Sequence, residues 1–286
     1  MNSALVRTLT LCLVAFSFAP GCSNKPSEDV DESLKIEKKF NLSRRHKQIE
    51  IDNDFIESRK NSFARDEILP PASEPIEGNL YQSYSLVEKD KHEEAIAGLL
   101  EEIKNSPKNS RAVSYLGKVF RDKENFTEAL KHFTRAIKLA PDDPFPYCLR
   151  AELYYSQESY KEAVDDAIKA LAQNPDYGHA LAIRGESYLQ LGKYNQAIKD
   201  LKLASELNPK YAPLLVDLGD ANMNISNFDE AVKQYTKAIE LDKENGMYYA
   251  RRAKALKAQG KVEESKADLV HSEKLGFNEN YKKITN

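Results

Sequence analysis

Residues 110–143 read SRAVSYLGKVFRDKENFTEALKHFTRAIKLAPDD, and the placing of small and large side chains within them decides the fold. With Ser110 as position 1, Gly117 stands at position 8 and Ala129 at position 20, while Phe120 occupies position 11 and Phe133 position 24. Small residues at two such places let two helix backbones cross closely, and the large apolar residues fill the seam beside them. Pro141, at position 32, ends the second helix, because proline lacks the N–H that the helix needs and its ring clashes with the preceding turn.

Working outward, Pro107, Pro141, Pro175 and Pro209 recur every 34 residues. A fixed period of this length is the mark of a repeat architecture. Six units fit without a gap: 76–109, 110–143, 144–177, 178–211, 212–245 and 246–279. Position 8 holds Ser83, Gly117, Ala151, Gly185, Gly219 and Ala253, and position 20 holds Ala95, Ala129, Ala163, Ala197, Ala231 and Ser265. Position 11 is large in five units and Asn222 in the other. The register thus predicts a helical hairpin in every unit, with helices A and B packed across a seam of small residues.

This spacing and residue set resembles the tetratricopeptide repeat (TPR). Unit 110–143 carries Val113, Leu116, Gly117, Phe120, Ala129, Phe133, Ala136 and Pro141 at the family's signature positions. The resemblance implies an all-α, right-handed superhelical α-solenoid over 76–279, followed by a short tail, 280–286. The end units depart from the pattern: Asn79 and Gln82 stand at core positions, and the last two units lack the terminal proline. Atypical terminal repeats are the rule in such arrays. The few residues after the sixth unit are too short for a long capping helix, so an exposed C-terminal end is expected.

Upstream of the array, residues 1–21 read as an export signal, with Arg7 preceding an uncharged apolar run from Leu9 to Ala19 that is short for a membrane span. The segment Ala19-Pro20-Gly21-Cys22-Ser23 resembles a bacterial lipobox, in which Cys22 becomes the diacylated first residue of the mature protein. Ala19 and Pro20 depart from the family's usual leucine and small residue, which leaves ordinary secretory cleavage as the alternative. By resemblance to the enterobacterial sorting rule, Ser23 favours the outer membrane. Residues 22–75 are dense in mixed charge and end in ILPPASEP, the composition of a flexible tether with one short helix near 34–40. Such a coil spans roughly 40 Å. With Cys12 and Cys22 near the start, Cys148 is alone in the body of the chain and cannot form an internal disulfide there. The net charge of −3 suggests neither a nucleic-acid binder nor an acidic tail.

Three arginines sit where core leucines are expected. Arg150, Arg184 and Arg252 all occupy position 7, and the same units carry Asp166, Asp200 and Asp268 at position 23. Units with Leu116 or Leu218 at position 7 have His132 or Gln234 instead. Arginine and aspartate therefore come and go together, which predicts an ion pair tying helix A to helix B within a repeat.

The five histidines never fall at metal-ligand spacing, and no GxSxG elbow, Walker loop or GxGxxG is present. Cofactor, metal and enzymatic function are not expected. By resemblance to the family, positions 2, 5, 9 and 12 of helix A line an inner groove. Position 9 gives a row of carboxylates, Glu152, Glu186 and Asp220, flanked by Lys118 and Lys254, with Phe145 and Tyr155 as apolar footholds. A carboxylate clamp is set aside, since Leu149, Ile183 and Asp217 occupy position 6. The expected function is a membrane-tethered scaffold in a bacterial envelope, facing the periplasm, that binds a protein or peptide segment in the groove. The chain resembles TPR lipoproteins serving as adaptors or pilotins for envelope assemblies such as type IV pili, secretins or cell-wall enzymes. The rivals are a secreted effector or adhesin without a lipid anchor and, more remotely, an enzyme with a site assembled from distant residues.

Overall fold

A computed structural model describes residues 91–277. The segments expected to be a signal peptide and a tether, Cys22, residues 76–90 of the first expected unit and most of the C-terminal segment lie outside the described residues. The described residues form eleven α-helices: α1 (His92–Asn105), α2 (Ser110–Asp122), α3 (Phe126–Leu139), α4 (Pro144–Ser156), α5 (Tyr160–Gln173), α6 (Gly178–Gln190), α7 (Tyr194–Leu207), α8 (Ala212–Asn224), α9 (Phe228–Leu241), α10 (Gly246–Ala258) and α11 (Val262–Lys274). From α2 onward they pair as A–B hairpins, and each A helix also packs on the next A helix. The A helices thereby form a continuous inner layer and the B helices an outer one. This is an α-solenoid.

Caps and turns follow from local sequence. The side chains of Asn109, Asn125, Asp143 and Asn245 accept hydrogen bonds from first-turn N–H groups of the helices they precede. At the A–B turn the chain enters the left-handed region at the same place in each of five hairpins: Glu124, Glu158, Gly192, Ser226 and Gly260, with φ of 58°, 59°, 71°, 62° and 81°. One residue further on, the N–H donates back to the A helix six-to-one, as from Asn125 to the Phe120 carbonyl at 2.8 Å and from Lys193 to that of Tyr188 at 2.8 Å. Only two of the five positions are glycine, so this turn carries no uniform sequence signal.

The seam of small residues is buried throughout. Ala95, Ala129, Ala163, Ala197 and Ala231 are fully buried, and the Ser265 hydroxyl, taking the same place in the last hairpin, donates to the Ala253 carbonyl at 2.8 Å. In three hairpins a glycine at position 8 faces a large side chain at position 24. A Cβ on Gly117 would lie 2.7 Å from the Phe133 ring, one on Gly185 2.8 Å from Leu201 Cγ, and one on Gly219 2.5 Å from the Tyr235 ring. Where position 24 is only Ala167, position 8 carries a methyl group, Ala151. Asn222, the polar exception at position 11, donates to the Leu218 carbonyl and accepts from Asn227 Nδ2 across the turn. Three apolar clusters run along the array, the first built on α1–α4, the second on α4–α8 and the third on α8–α10.

Gly219→Val should therefore drive β-branched bulk into the Tyr235 ring and cost about 1–3 kcal/mol, the usual range for overpacking. Urea denaturation followed by circular dichroism should show a lower midpoint, and a variant as stable as the parent would contradict the seam.

Candidate protein-binding surface

Arg184 projects from α6 toward α7. Its Nε donates to Asp200 Oδ2 at 2.7 Å and its Nη2 to Asp200 Oδ1 at 2.8 Å, a bidentate pair. Arg150 meets Asp166 in the same way at 2.6 and 2.9 Å, and Arg252 meets Asp268 at 2.8 and 2.8 Å. The aspartates are buried and the arginines half-buried, so these groups tie A to B and do not face a ligand. Hydrogen bonding to Asp200 raises the Arg184 pKa against the opposing effect of burial. Two of the arginines reach further. Arg150 Nη1 donates to Thr134 Oγ1 at 3.1 Å, and Arg252 Nη1 to Thr236 Oγ1 at 3.2 Å, each threonine belonging to the preceding repeat. At Arg184 the corresponding residue is Ile168, which has no hydroxyl.

On the inner layer, the expected open row of carboxylates takes a different form. Glu152 forms an ion pair with Arg121 of the preceding repeat. Asp220 accepts from the Tyr235 hydroxyl at 2.6 Å and from Arg251 Nη1 of the following repeat at 2.5 Å. Glu186 is only 2% exposed. Three like charges one repeat apart would repel in a low-dielectric wall, and cations from neighbouring repeats neutralise the two outer ones. Phe145 is likewise no open foothold. It is 3% exposed, packs on Tyr115 at 5.4 Å and lies under the Arg111 guanidinium at 5.5 Å. Tyr155 is half-buried with its ring edge-on to Tyr160, Lys118 is half-buried and Lys254 is exposed.

The structure also gathers residues that the sequence leaves apart. Cys148 and Tyr177 are buried close together, and His179 is buried near Glu152, Arg121 and Lys118. Burial pushes the Cys148 thiol and the Tyr177 hydroxyl well up, so neither is an activated nucleophile. These residues fall at positions 2, 5, 9, 12 and 34 of successive units; a reading of 34-residue columns one repeat apart, and not within one unit, is the signal that would have grouped them. Among the described residues no group of three or more His, Cys, Asp and Glu is placed to hold a metal ion.

Family models for the tetratricopeptide repeat match residues 117–158, 185–226 and 212–245. Over these residues the chain carries tetratricopeptide repeats, and arrays of this class are in general protein–protein interaction scaffolds. No curated protein matches it in sequence. Among solved structures, it is similar to YrrB, described as a TPR protein with an unusual peptide-binding site, at 20% identity and a TM-score of 0.56 over 62% of this chain and 91% of that one. A tetratricopeptide repeat protein from Parabacteroides merdae aligns at 25% identity and a TM-score of 0.54, covering 66% and 75% of the two chains. PilF of Pseudomonas aeruginosa aligns at 16% identity and a TM-score of 0.61, covering 66% and 86%.

Two predictions follow from the charges. Asp200→Asn leaves Arg184 without its counter-ion and should cost about 1–3 kcal/mol by urea denaturation, less than the ~3–5 of a wholly buried pair because the Arg184 side chain stays partly hydrated. Stability should also fall in acid. Burial lowers the His179 pKa below its ordinary 6.5 despite the opposing pull of Glu152, so the unfolded chain takes up that proton first and stability drops as pH falls below 6.5. Burial raises the Glu152 pKa, but Arg121, with help from His179 and Lys118, outweighs it and holds the carboxyl below 4.5, so a second loss begins beneath that value. His179→Gln should flatten the profile between 6.5 and 4.5, leaving a residual slope from His132, whose pKa burial also lowers. An unchanged slope in pH-dependent urea midpoints would exclude His179 as a source.

Proposed function

We propose that this protein is a non-enzymatic interaction scaffold tethered to a bacterial envelope membrane through lipid on Cys22, and that a partner segment lies along the inner layer of A helices. The observation that carries the groove reading is the continuous inner wall, in which α2, α4, α6, α8 and α10 each pack on the next. An extended segment can run across these helices and meet one repeat after another.

The internal neutralisation of the carboxylates narrows which residues read the partner. A basic partner side chain would have to displace Arg121 from Glu152 or Arg251 from Asp220, leaving a charge in a poorly hydrated wall. The acidic residues therefore set the spacing of the wall, while the exposed Lys254 is the group offered to a partner. Support for the tether comes from the lipobox-like segment ending in Cys22 and from the charged stretch 22–75 that follows it.

Cys22→Ser should release the protein from the detergent-soluble membrane fraction or block its processing, and should abolish incorporation of an alkynyl fatty acid. Membrane partitioning unchanged in the absence of label would remove the anchor and favour a secreted effector or adhesin. Crosslinking in the native envelope, followed by partner identification in parent and Lys254→Glu chains, tests the groove. Recovery of the same partner in equal yield from both would exclude Lys254 from the contact.

A further inference from the structure

The outer helices carry a charge pattern that the groove reading leaves unused. On α3, Lys131, Arg135 and Lys138 stand at positions 22, 26 and 29, one face of the helix, and with Thr127, Leu130 and Thr134 they line a shallow depression. The same face continues in later repeats with Lys169 on α5, Lys199 and Lys202 on α7, and Lys233 and Lys237 on α9. All of these cations are exposed. Only Asp165, Glu206 and Glu240 oppose them at these positions, so the face is strongly positive in a chain whose net charge is −3. Lys131 and Lys233 pair at i,i+3 with the half-exposed Glu128 and Glu230 at 3.1 and 3.3 Å, contacts that contribute little in water, and Lys169 reaches the buried Asp166 at 3.2 Å.

Large apolar side chains are interleaved with the lysines. Ile168 and Leu203, 44% and 37% exposed, occupy positions 25 and 26 of their repeats, beside Lys169 and Lys202. Thr134 adds a polar donor. Its oxygen accepts from Arg150, and among the described residues its own proton has no acceptor, whereas the equivalent Thr236 donates to the Val232 carbonyl at 2.8 Å.

We propose that this outer face, from α3 to α9, rests on a membrane surface rich in anionic phospholipid. Lysine and arginine meet the phosphate headgroups, and Ile168 and Leu203 enter the interfacial layer. A nucleic acid fits less well, because the aromatic ring beside the stripe, Tyr147, is only partly exposed and lies under Lys169 at 5.8 Å, while the exposed apolar side chains between the cations, Ile168 and Leu203, offer no face on which bases could stack. The contact is independent of acylation at Cys22, and it leaves the inner layer turned away from the bilayer.

The test uses the unacylated chain Ser23–Asn286, which retains every described helix and all three apolar clusters, so that failure of the anchor and failure of this contact are read separately. Co-sedimentation with vesicles of phosphatidylcholine alone is compared with vesicles containing phosphatidylglycerol, at low and raised salt. The parent should bind the anionic vesicles only and be released by salt. Replacing Lys199, Lys202, Lys233 and Lys237 by Gln should lower the partition coefficient by at least about tenfold, since each basic residue near an anionic surface contributes appreciably. A second variant, Ile168→Ser with Leu203→Ser, should bind more weakly while keeping its salt dependence. Circular dichroism checks folding of each, and Lys131→Gln with Lys138→Gln replaces the quadruple variant if that one loses helix. Parent binding that ignores lipid charge, equal binding by folded charge variants, or retention on DNA without retention on vesicles would each overturn the proposal.

Discussion

The close crossing of helices A and B within each repeat is the constraint on which the rest depends. It needs a small residue at position 8 and another at position 20, and it sets how much volume position 24 can hold. Gly219 faces a tyrosine ring and Gly185 a leucine, whereas Ala151 faces an alanine. In these hairpins the bulk in the seam is divided differently between the two helices. Because all hairpins keep one geometry, successive A helices meet in one register and a continuous inner wall results.

Charge is subordinate to that packing. The position-7 arginines would be costly on a buried helix face if unpaired, and each is met by an aspartate on the partner helix of its own repeat. On the inner wall the pairing runs between repeats, Arg121 to Glu152 and Asp220 to Arg251. One set of ion pairs therefore stiffens hairpins and the other fixes their spacing.

Much of the fold was legible because its determinants are local and recur every 34 residues. Proline, glycine and alanine at fixed offsets report directly on helix ends and close approach. The A–B turn was less visible, since Glu124, Glu158 and Ser226 adopt the left-handed conformation without being glycine, held by the six-to-one hydrogen bond instead of by residue type. The candidate site was legible only as a set of columns. Position 9 announced a row of carboxylates, but their neutralisation by Arg121 and Arg251 depends on neighbours 31 residues away in the chain, and Phe145 gave no sign of being covered by Tyr115 and Arg111. The covariation of Arg with Asp could be read because both residues lie in one unit; the threonines that extend two of these pairs lie in the unit before.

The two kinds of ion pair also determine how this array can change over generations. A repeat whose arginine and aspartate are both its own, such as 178–211, is electrically self-contained, and duplicating or deleting it strands no charge at that pair. The junction joining Asp220 to Arg251 is not divisible in this way, because a break between those units leaves a half-buried carboxylate on one side and a guanidinium on the other. Gain and loss of repeats is therefore permitted unevenly along the chain, because Arg121–Glu152 ties units 110–143 and 144–177 together as Asp220–Arg251 ties the last two described hairpins.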